Sequence, residues 1–528
     1  MKRHLDSWDR RPIRSERLAA FRRLPANWLV LVAVLVAFGL RAYHLSYQSL
    51  WRDEVDALLF ATTDLHKLLG NFTKTGENGP LYFLLLRFWI GWTGDSEFSL
   101  RFFSLFFGTL IVPLMYTVGR WLLRREVGIF AALLAAVSPY FVWYSQEAKM
   151  YALLTLLSLL SVYLYLLALE RGRLWRWVVY VVVTSLSLYV HFFFALVVVF
   201  EGVLFVMGYG RWKTARRSWA VAYAILTLPY LPLAIWQWPT LMHPPVTAYP
   251  FLDLGGIMSV LIFAWSTNSG PIPVLFPLVV FVFLLLAGLV LYPGVEASGG
   301  VVRAGSTGGI LDSVRSALSV RDNVAILVAY LAIPVIGFYL VSLRLPLFTD
   351  RYLIIVSPAF YLLLACGLVA VKQRSRSFWG VSLVFVLVAC ASSIWSQSHT
   401  KIKSDFKSAA QYFAAHSDGS EPILFLMPYV QQTFSYYYRS PLVALPVPYT
   451  NWGLTSEHVA NQMVNELSGD RGIWLLESEA ELYDANGLVR AWLDQNYRLV
   501  ESASFARVIL YHYESTGMSH ARIDSPDL

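Results

Sequence analysis

The chain alternates between long apolar runs and short polar breaks for most of its length. A membrane-crossing helix needs about 20 mostly apolar residues. Eleven stretches fit that requirement: 28–45, 98–119, 127–142, 150–169, 175–190, 192–209, 219–236, 273–292, 323–342, 352–370 and 379–395. The third is short, and 257–268 is a weaker apolar stretch. The first span follows a basic leader, Met1 to Asn27, with no small-residue cleavage site before Trp51, so it reads as a retained span. From residue 396 the runs shorten and charges return. Helix-like patterns at 404–416, 455–468 and 485–496 alternate there with strand-like runs Ile423–Met427, Ile473–Glu477, Tyr497–Ser502 and Ala506–Tyr513. The pattern predicts an all-α polytopic membrane bundle of about 11 transmembrane helices, residues 28–395, followed by a small α/β domain over 396–528. The segment 293–322, rich in Gly, Ser and Val, reads as a flexible cytoplasmic linker.

Composition agrees. Hydrophobic residues make up 57% of the chain and charged residues only 14%. A soluble protein of 528 residues would have too little polar material to cover its surface. A secreted domain array, a disordered protein and an ordinary cytosolic enzyme are excluded. The 19 Trp and 30 Tyr suit a membrane–water interface. Cys366 and Cys390 lie inside apolar runs near opposite ends of adjacent spans, which argues against a disulfide or zinc site.

Charge orients the chain. With the N-terminus cytoplasmic, the leader and inside loops carry 24 Lys or Arg, against 7 in the outside loops before residue 396. That bias is the usual one for cytoplasmic loops. The net charge of +8 is thereby explained without nucleic acid. An odd number of spans puts the C-terminal region on the outer face, where it carries a net charge of about −6.

Candidate chemistry gathers in the outer loops. The first, 46–97, begins Ser49-Leu50-Trp51-Arg52-Asp53-Glu54-Val55-Asp56. Asp56 reads as a solubilising charge. Asp53 and Glu54, next to apolar walls, are candidate general bases with raised pKa values. Further on, Pro80 is placed to open a helix, with Glu77 ahead of its N-terminus. Another outer loop runs Ser138-Pro139-Tyr140-Phe141-Val142-Trp143-Tyr144-Ser145-Gln146-Glu147-Ala148-Lys149-Met150-Tyr151. Glu147 and Lys149 stand there at the mouth of the fourth span. His191 sits between two spans. Arg351 precedes Tyr352 at a late outer membrane edge, where a guanidinium forks well onto phosphate oxygens or anchors to headgroups.

Taken together, these motifs resemble bacterial members of glycosyltransferase family 39. That family includes the dolichyl-phosphate-mannose–protein mannosyltransferases and the lipid A aminoarabinose transferases. The likeness rests on Ser-Leu-Trp-x-Asp-Glu after the first span, Pro80-Leu81-Tyr82, and the Ser138–Leu153 run. It also takes in Glu97-Phe98-Ser99-Leu100-Arg101 through Tyr116, and Arg351-Tyr352. It is strongest over residues 45–200. The resemblance implies the GT-C fold, a sugar on a polyprenyl phosphate as donor, and an envelope acceptor at the outer face of a bacterial inner membrane. It implies acceptor activation by Asp53, with Glu54 positioning the substrates. Substrate contacts are expected from Glu77, Tyr82, Glu147, Lys149, His191, Arg351 and Tyr352. In some relatives the position of Glu77 helps hold a divalent metal. This chain departs there, with Glu77-Asn78-Gly79-Pro80 where many bacterial relatives have Asp or His beside paired prolines.

The chemistry fits without the family. A phosphate-linked sugar already has a leaving group. A carboxylate must take a proton from the acceptor, and Arg or Lys must stabilise the departing phosphate. A single displacement inverts the anomeric carbon. Two other classes stand beside this reading: a transporter or flippase of lipid-linked sugars, and a non-catalytic envelope assembly protein working through 396–528. A transporter would place its charges inside spans and on discontinuous paired helices. Here the candidate charges cluster in outer loops.

Overall fold

The computed structural model describes residues 26–71, 79–231, 235, 238–239, 242–243, 249–268, 275–293, 320–417, 419–451, 453–467 and 472–515. Glu77 and nearly all of the expected linker 293–322 lie outside the described residues. The chain opens with α1 (Ala26–Ala42). Three short helices, α2 (Arg52–Thr62), α3 (Leu65–Asn71) and α4 (Leu81–Thr93), make the first outer loop. Pro80 stands at the N-cap of α4, as its sequence position predicts. The bundle continues with α5 (Glu97–Leu122), α6 (Arg125–Val137), α7 (Pro139–Ser145), α8 (Tyr151–Arg171), α9 (Leu174–Val190), α10 (Ala195–Met207) and α11 (Arg216–Thr227). After it come α12 (Leu254–Ser266), α13 (Leu275–Val290), α14 (Val320–Ser342), α15 (Ser357–Arg374) and α16 (Arg376–His399). A 3-10 turn, Asp350–Val356, leads into α15.

Each of the eleven expected spans overlaps at least one of these helices. Among the described residues five helices are long and apolar enough to cross a membrane by length and composition, and several shorter apolar helices accompany them. The stretch 127–142, read as one span, is broken: α6 and α7 are long and apolar enough only together, and they meet at a 56° bend. Ser138 and Pro139 cause it. The Ser138 hydroxyl accepts the Phe141 N–H at 3.1 Å and so starts a new helix, with Pro139 in its first turn. The break strips partners from the last carbonyls of α6. Arg41, fully buried at the end of α1, supplies them: Nη1 donates to Ala136 O at 3.0 Å and Nη2 to Ala135 O at 3.0 Å, while Nε reaches Ser145 Oγ at 3.1 Å. In lipid an unpaired backbone group is costly, so a buried arginine here is a structural device.

Between membrane helices the drive is close packing. At the crossing of α13 and α15, Gly288 and Gly367 face the opposite backbone. A Cβ on Gly367 would stand 1.9 Å from the Leu284 carbonyl oxygen, and one on Gly288 2.2 Å from that of Leu363. α15 is accordingly buried along almost its whole length. Cys366 and Cys390 are both buried.

Beyond α16 the chain forms α17 (Phe406–His416), β1 (Ile423–Phe425), α18 (Gln431–Tyr437), β2 (Ala444–Leu445), α19 (Ser456–Glu466), β3 (Gly472–Glu477), α20 (Leu488–Asn496), β4 (Tyr497–Phe505) and β5 (Val508–Ser515). The strands join in the order β2-β1-β3-β5-β4, parallel from β2 to β3 and antiparallel beyond. The period of two in β3 builds both faces. Trp474 and Leu476 pack with Phe406, Phe413 and Phe434, and Ile473 and Leu475 pack with Val459, Met463 and Leu493. The result is a small sheet between two helical layers.

Candidate active site

The first turn of α2 carries Asp53 and Glu54, where the helix N-terminus favours negative charge. Their side chains diverge. Asp53 Oδ2 receives the Arg351 Nη1 hydrogen at 2.7 Å, and each side chain is 16% exposed. Glu54 is fully buried. Arg101 of α5 grips it with both arms, Nε to Oε1 at 2.8 Å and Nη2 to Oε2 at 2.8 Å. The Ala148 N–H adds 2.9 Å to Oε1, and Lys403 Nζ adds 3.0 Å to Oε2.

The sequence predicts raised pKa values for both carboxyls, and the structure corrects this. Burial does push each upward. At Asp53 the charges of Lys149, Arg351 and Arg52 outweigh burial and hold the carboxyl below its ordinary value. At Glu54, Arg101 and Lys403 do the same. Glu147 is the carboxyl that is raised. Burial dominates there, Lys403 opposes it, and the charge of Glu54 adds to it. Glu147 Oε1 takes the Trp51 indole N–H at 3.0 Å and lies 3.2 Å from Lys403 Nζ. Its Oε2 is buried and unpartnered among the described residues.

Arg351 is the second centre. Its guanidinium lies over Trp51 at 5.4 Å, Tyr151 at 5.8 Å and Tyr352 at 6.0 Å from the ring centroids. Its Nε is buried with no acceptor among the described residues. The aromatic run before Glu147 explains how Arg351 is placed. Tyr140 donates to the Asp350 carbonyl at 3.0 Å and Tyr144 to Asp350 Oδ2 at 3.0 Å, which pins the start of the 350–356 turn. Lys149 is half-buried and forms no salt bridge among the described residues, yet its charge acts on both Asp53 and His191.

His191 is fully buried against Tyr352, with ring centroids 5.5 Å apart. Burial, then the charges of Arg351 and Lys149, push its pKa down to about 3. Its Nδ1 accepts the Phe193 N–H at 3.2 Å, so the neutral ring carries its proton on Nε2, which has no partner among the described residues. Tyr82 lies deeper, under the Lys149 turn. It is fully buried, and its hydroxyl bonds to Ser104 Oγ at 3.2 Å, which in turn donates to the Lys149 carbonyl at 3.1 Å. Tyr82 therefore supports the Lys149 turn from behind.

The structure brings together Asp53, Glu147, Lys149, His191, Arg351 and Tyr352, and sets Glu54 and Tyr82 beneath them. Among the described residues no group of three His, Cys, Asp or Glu side chains converges as a metal site. Glu77, to which the resemblance gives a metal role, lies outside them. Two residues of this constellation carried no assigned role in the sequence, Arg101 and Lys403. An arginine in an otherwise apolar span was a usable signal for the first. Nothing local marks Lys403.

What the arrangement offers is a carboxylate, Asp53, beside cationic side chains that lie against aromatic rings. Arg351 and His191 each have a buried N–H to give, and Lys149 adds charge. That set suits a phosphate oxygen beside a group losing a proton.

Residues 77–236 match the family model described as dolichyl-phosphate-mannose-protein mannosyltransferase. No curated protein matches the chain. Among solved structures the chain is similar to ArnT from Cupriavidus metallidurans in the apo state, with a TM-score of 0.55 and 14% identity, covering 94% of this chain and 98% of that one. The same protein bound to undecaprenyl phosphate gives 0.55 and 13%, covering 93% and 98%. The archaeal oligosaccharyltransferase AglB from Archaeoglobus fulgidus, in complex with an inhibitory peptide and a dolichol-phosphate, gives 0.53 and 11%, covering 96% and 75%. The chain thus shares the fold of ArnT, a multi-helix bundle with a small C-terminal sheet region, and the mannosyltransferase likeness read from the motifs is matched over residues 77–236.

Proposed function

We propose that this chain is an integral membrane glycosyltransferase that moves a sugar from a polyprenyl-phosphate donor to an envelope acceptor at the outer face of the membrane. The observation that carries the proposal is Asp53 set 2.7 Å from Arg351, whose Nε–H is buried and unpartnered among the described residues. The fold neighbours bound to undecaprenyl phosphate and dolichol-phosphate support the donor class. The excess of Lys and Arg on the loops assigned to the cytoplasm supports the outward orientation of this site.

The mechanism uses the chain's own residues. Arg351 and Lys149 hold the donor phosphate, and the His191 Nε2–H gives a neutral hydrogen bond to it. Asp53 takes the proton from the acceptor hydroxyl or amine. The freed lone pair forms the bond to the anomeric carbon from the face opposite the phosphate. The carbon–oxygen bond to phosphate breaks, and its electrons leave on polyprenyl phosphate, whose charge Arg351 and Lys149 stabilise. Configuration inverts. Asp53 and Arg351 also make a switch between partners. A phosphate that takes the guanidinium releases Asp53 from its strongest bond and raises its basicity as the acceptor arrives. Glu54 acts here as the buried anchor of α2.

Mass spectrometry of envelope glycans, lipids and glycoproteins from cells with and without the protein tests the proposal. One sugar missing from one acceptor class is the expected result. An unchanged envelope, together with no transfer from any polyprenyl-phosphate sugar by the purified protein, would overturn it.

A further inference from the structure

Lys403 comes from the segment between α16 and α17, 349 residues beyond Glu54 and 256 beyond Glu147. Its side chain is 6% exposed. The ammonium lies 3.0 Å from Glu54 Oε2 and 3.2 Å from Glu147 Oε1, over the rings of Trp143 and Trp51 at 5.2 and 5.9 Å. Glu147 makes no other salt bridge among the described residues. Arg101 cannot stand in for Lys403. Its Nε and Nη2 are committed to Glu54, and its Nη1 serves the Leu45 and Gln48 carbonyls at 3.0 and 2.7 Å. Two buried carboxylates therefore share one ammonium. Such an arrangement persists only where the geometry is closely held.

The surrounding contacts hold it. The Gln48 side chain receives the Ile402 N–H at 3.0 Å and donates to the Thr400 carbonyl at 2.7 Å. Tyr437 of α18 receives the Leu50 N–H at 2.6 Å. On the far side of Asp53, Arg52 reaches Glu479 at 3.4 Å. The C-terminal region thus grips the start of α2 from both sides. From Lys403 the chain of contact is short: Glu147 Oε1 also holds the Trp51 indole, and the Trp51 ring faces Arg351.

We infer that Lys403 is a positioning residue of the transfer site: by bridging Glu54 and Glu147 it locks Trp51 and the start of α2 where Asp53 meets Arg351, so the site is complete only with the C-terminal region docked. This rests on the function proposed above. A substituted Lys403 leaves a buried charge unbalanced, so Lys403→Met alone risks misfolding. Lys403→Met combined with Glu147→Gln restores the balance, and Glu147→Gln alone is its reference.

The full-length protein in detergent is titrated with undecaprenyl phosphate, and backbone amide exchange is followed over 49–58 and in β3 and β5. The double variant is expected to bind about tenfold more weakly than Glu147→Gln. Exchange over 49–58 is expected to speed up about tenfold while the strands keep their protection. Affinity and exchange equal to those of Glu147→Gln would overturn the inference and leave Lys403 a simple counter-charge. A wild-type protein that fails to bind undecaprenyl phosphate would overturn the proposed function instead, and exchange over 49–58 would still decide the role of Lys403.

Discussion

Glu54→Gln separates structural from chemical carboxylates. Glu54 is fully buried and accepts four hydrogen bonds: two from Arg101, one from Lys403 and one from the Ala148 N–H. Glutamine keeps the volume but removes the charge and puts an N–H₂ where an acceptor was. Arg101 then loses its salt-bridge partner, and Lys403 keeps only Glu147. Breaking a buried pair in this way costs about 3–5 kcal/mol. Unfolding entropy near 2.1 cal/mol/K per residue gives about 1.1 kcal/mol/K for a chain of 528 residues, so the loss reads as a Tm drop of about 3–5 °C if the chain unfolds as one unit. A smaller cooperative unit gives a larger drop. The pH dependence follows from the sign. The folded pKa is depressed, so the Glu54 contribution is fully present above the ordinary carboxyl range and is lost as pH falls toward the folded value. Thermal melts in detergent from pH 7 down to pH 3 check both points. Wild type should lose stability over that range, and the variant should start lower and lose less. A variant that melts with wild type at pH 7 would refute Glu54 as an anchor.

Other outcomes follow from the same geometry. Arg351→Gln removes the charged partner expected for the donor phosphate, and steady-state kinetics should show the donor KM rising about 10–100-fold. Asp53 must be ionised to accept a proton, and its pKa lies below the ordinary range. The acid limb of kcat/KM should therefore lie below the usual carboxylate pH. The limb of kcat should lie higher, because bound phosphate has taken Arg351. Gly367→Ala sets a methyl 1.9 Å from the Leu284 carbonyl, and should lower stability by about 1–3 kcal/mol in a thermal melt. Gly91→Ala meets nothing within 4 Å and is the neutral control.

Hydrophobic period carried most of the fold. A membrane span is long and nearly uniform, so its signal survives without partners. The strand pattern of 473–477 and the cap at Pro80 were equally local. The bend at Ser138-Pro139 was hidden, because both halves are apolar and the partner that tolerates the break, Arg41, comes from another helix. Strand β2 has only two residues, too few for any period to show. At the site, Asp53 and Arg351 stand out as charges at a membrane edge. Their pairing does not, since 298 residues separate them. The direction of the pKa shifts is not legible in the sequence for one reason. Burial is visible as apolar neighbours in sequence, whereas the opposing cations, Arg101, Lys149, Arg351 and Lys403, arrive through the fold. Glu54 looked equal to Asp53 until Arg101 closed on it.

The central claim is that Asp53 activates the acceptor. Its most direct test is single-turnover transfer of radiolabelled sugar from polyprenyl phosphate, comparing wild type with Asp53→Asn at saturating donor. The expected variant melts near wild type, still binds undecaprenyl phosphate, and transfers about 10²–10⁴-fold more slowly. Transfer at the wild-type rate would contradict the claim.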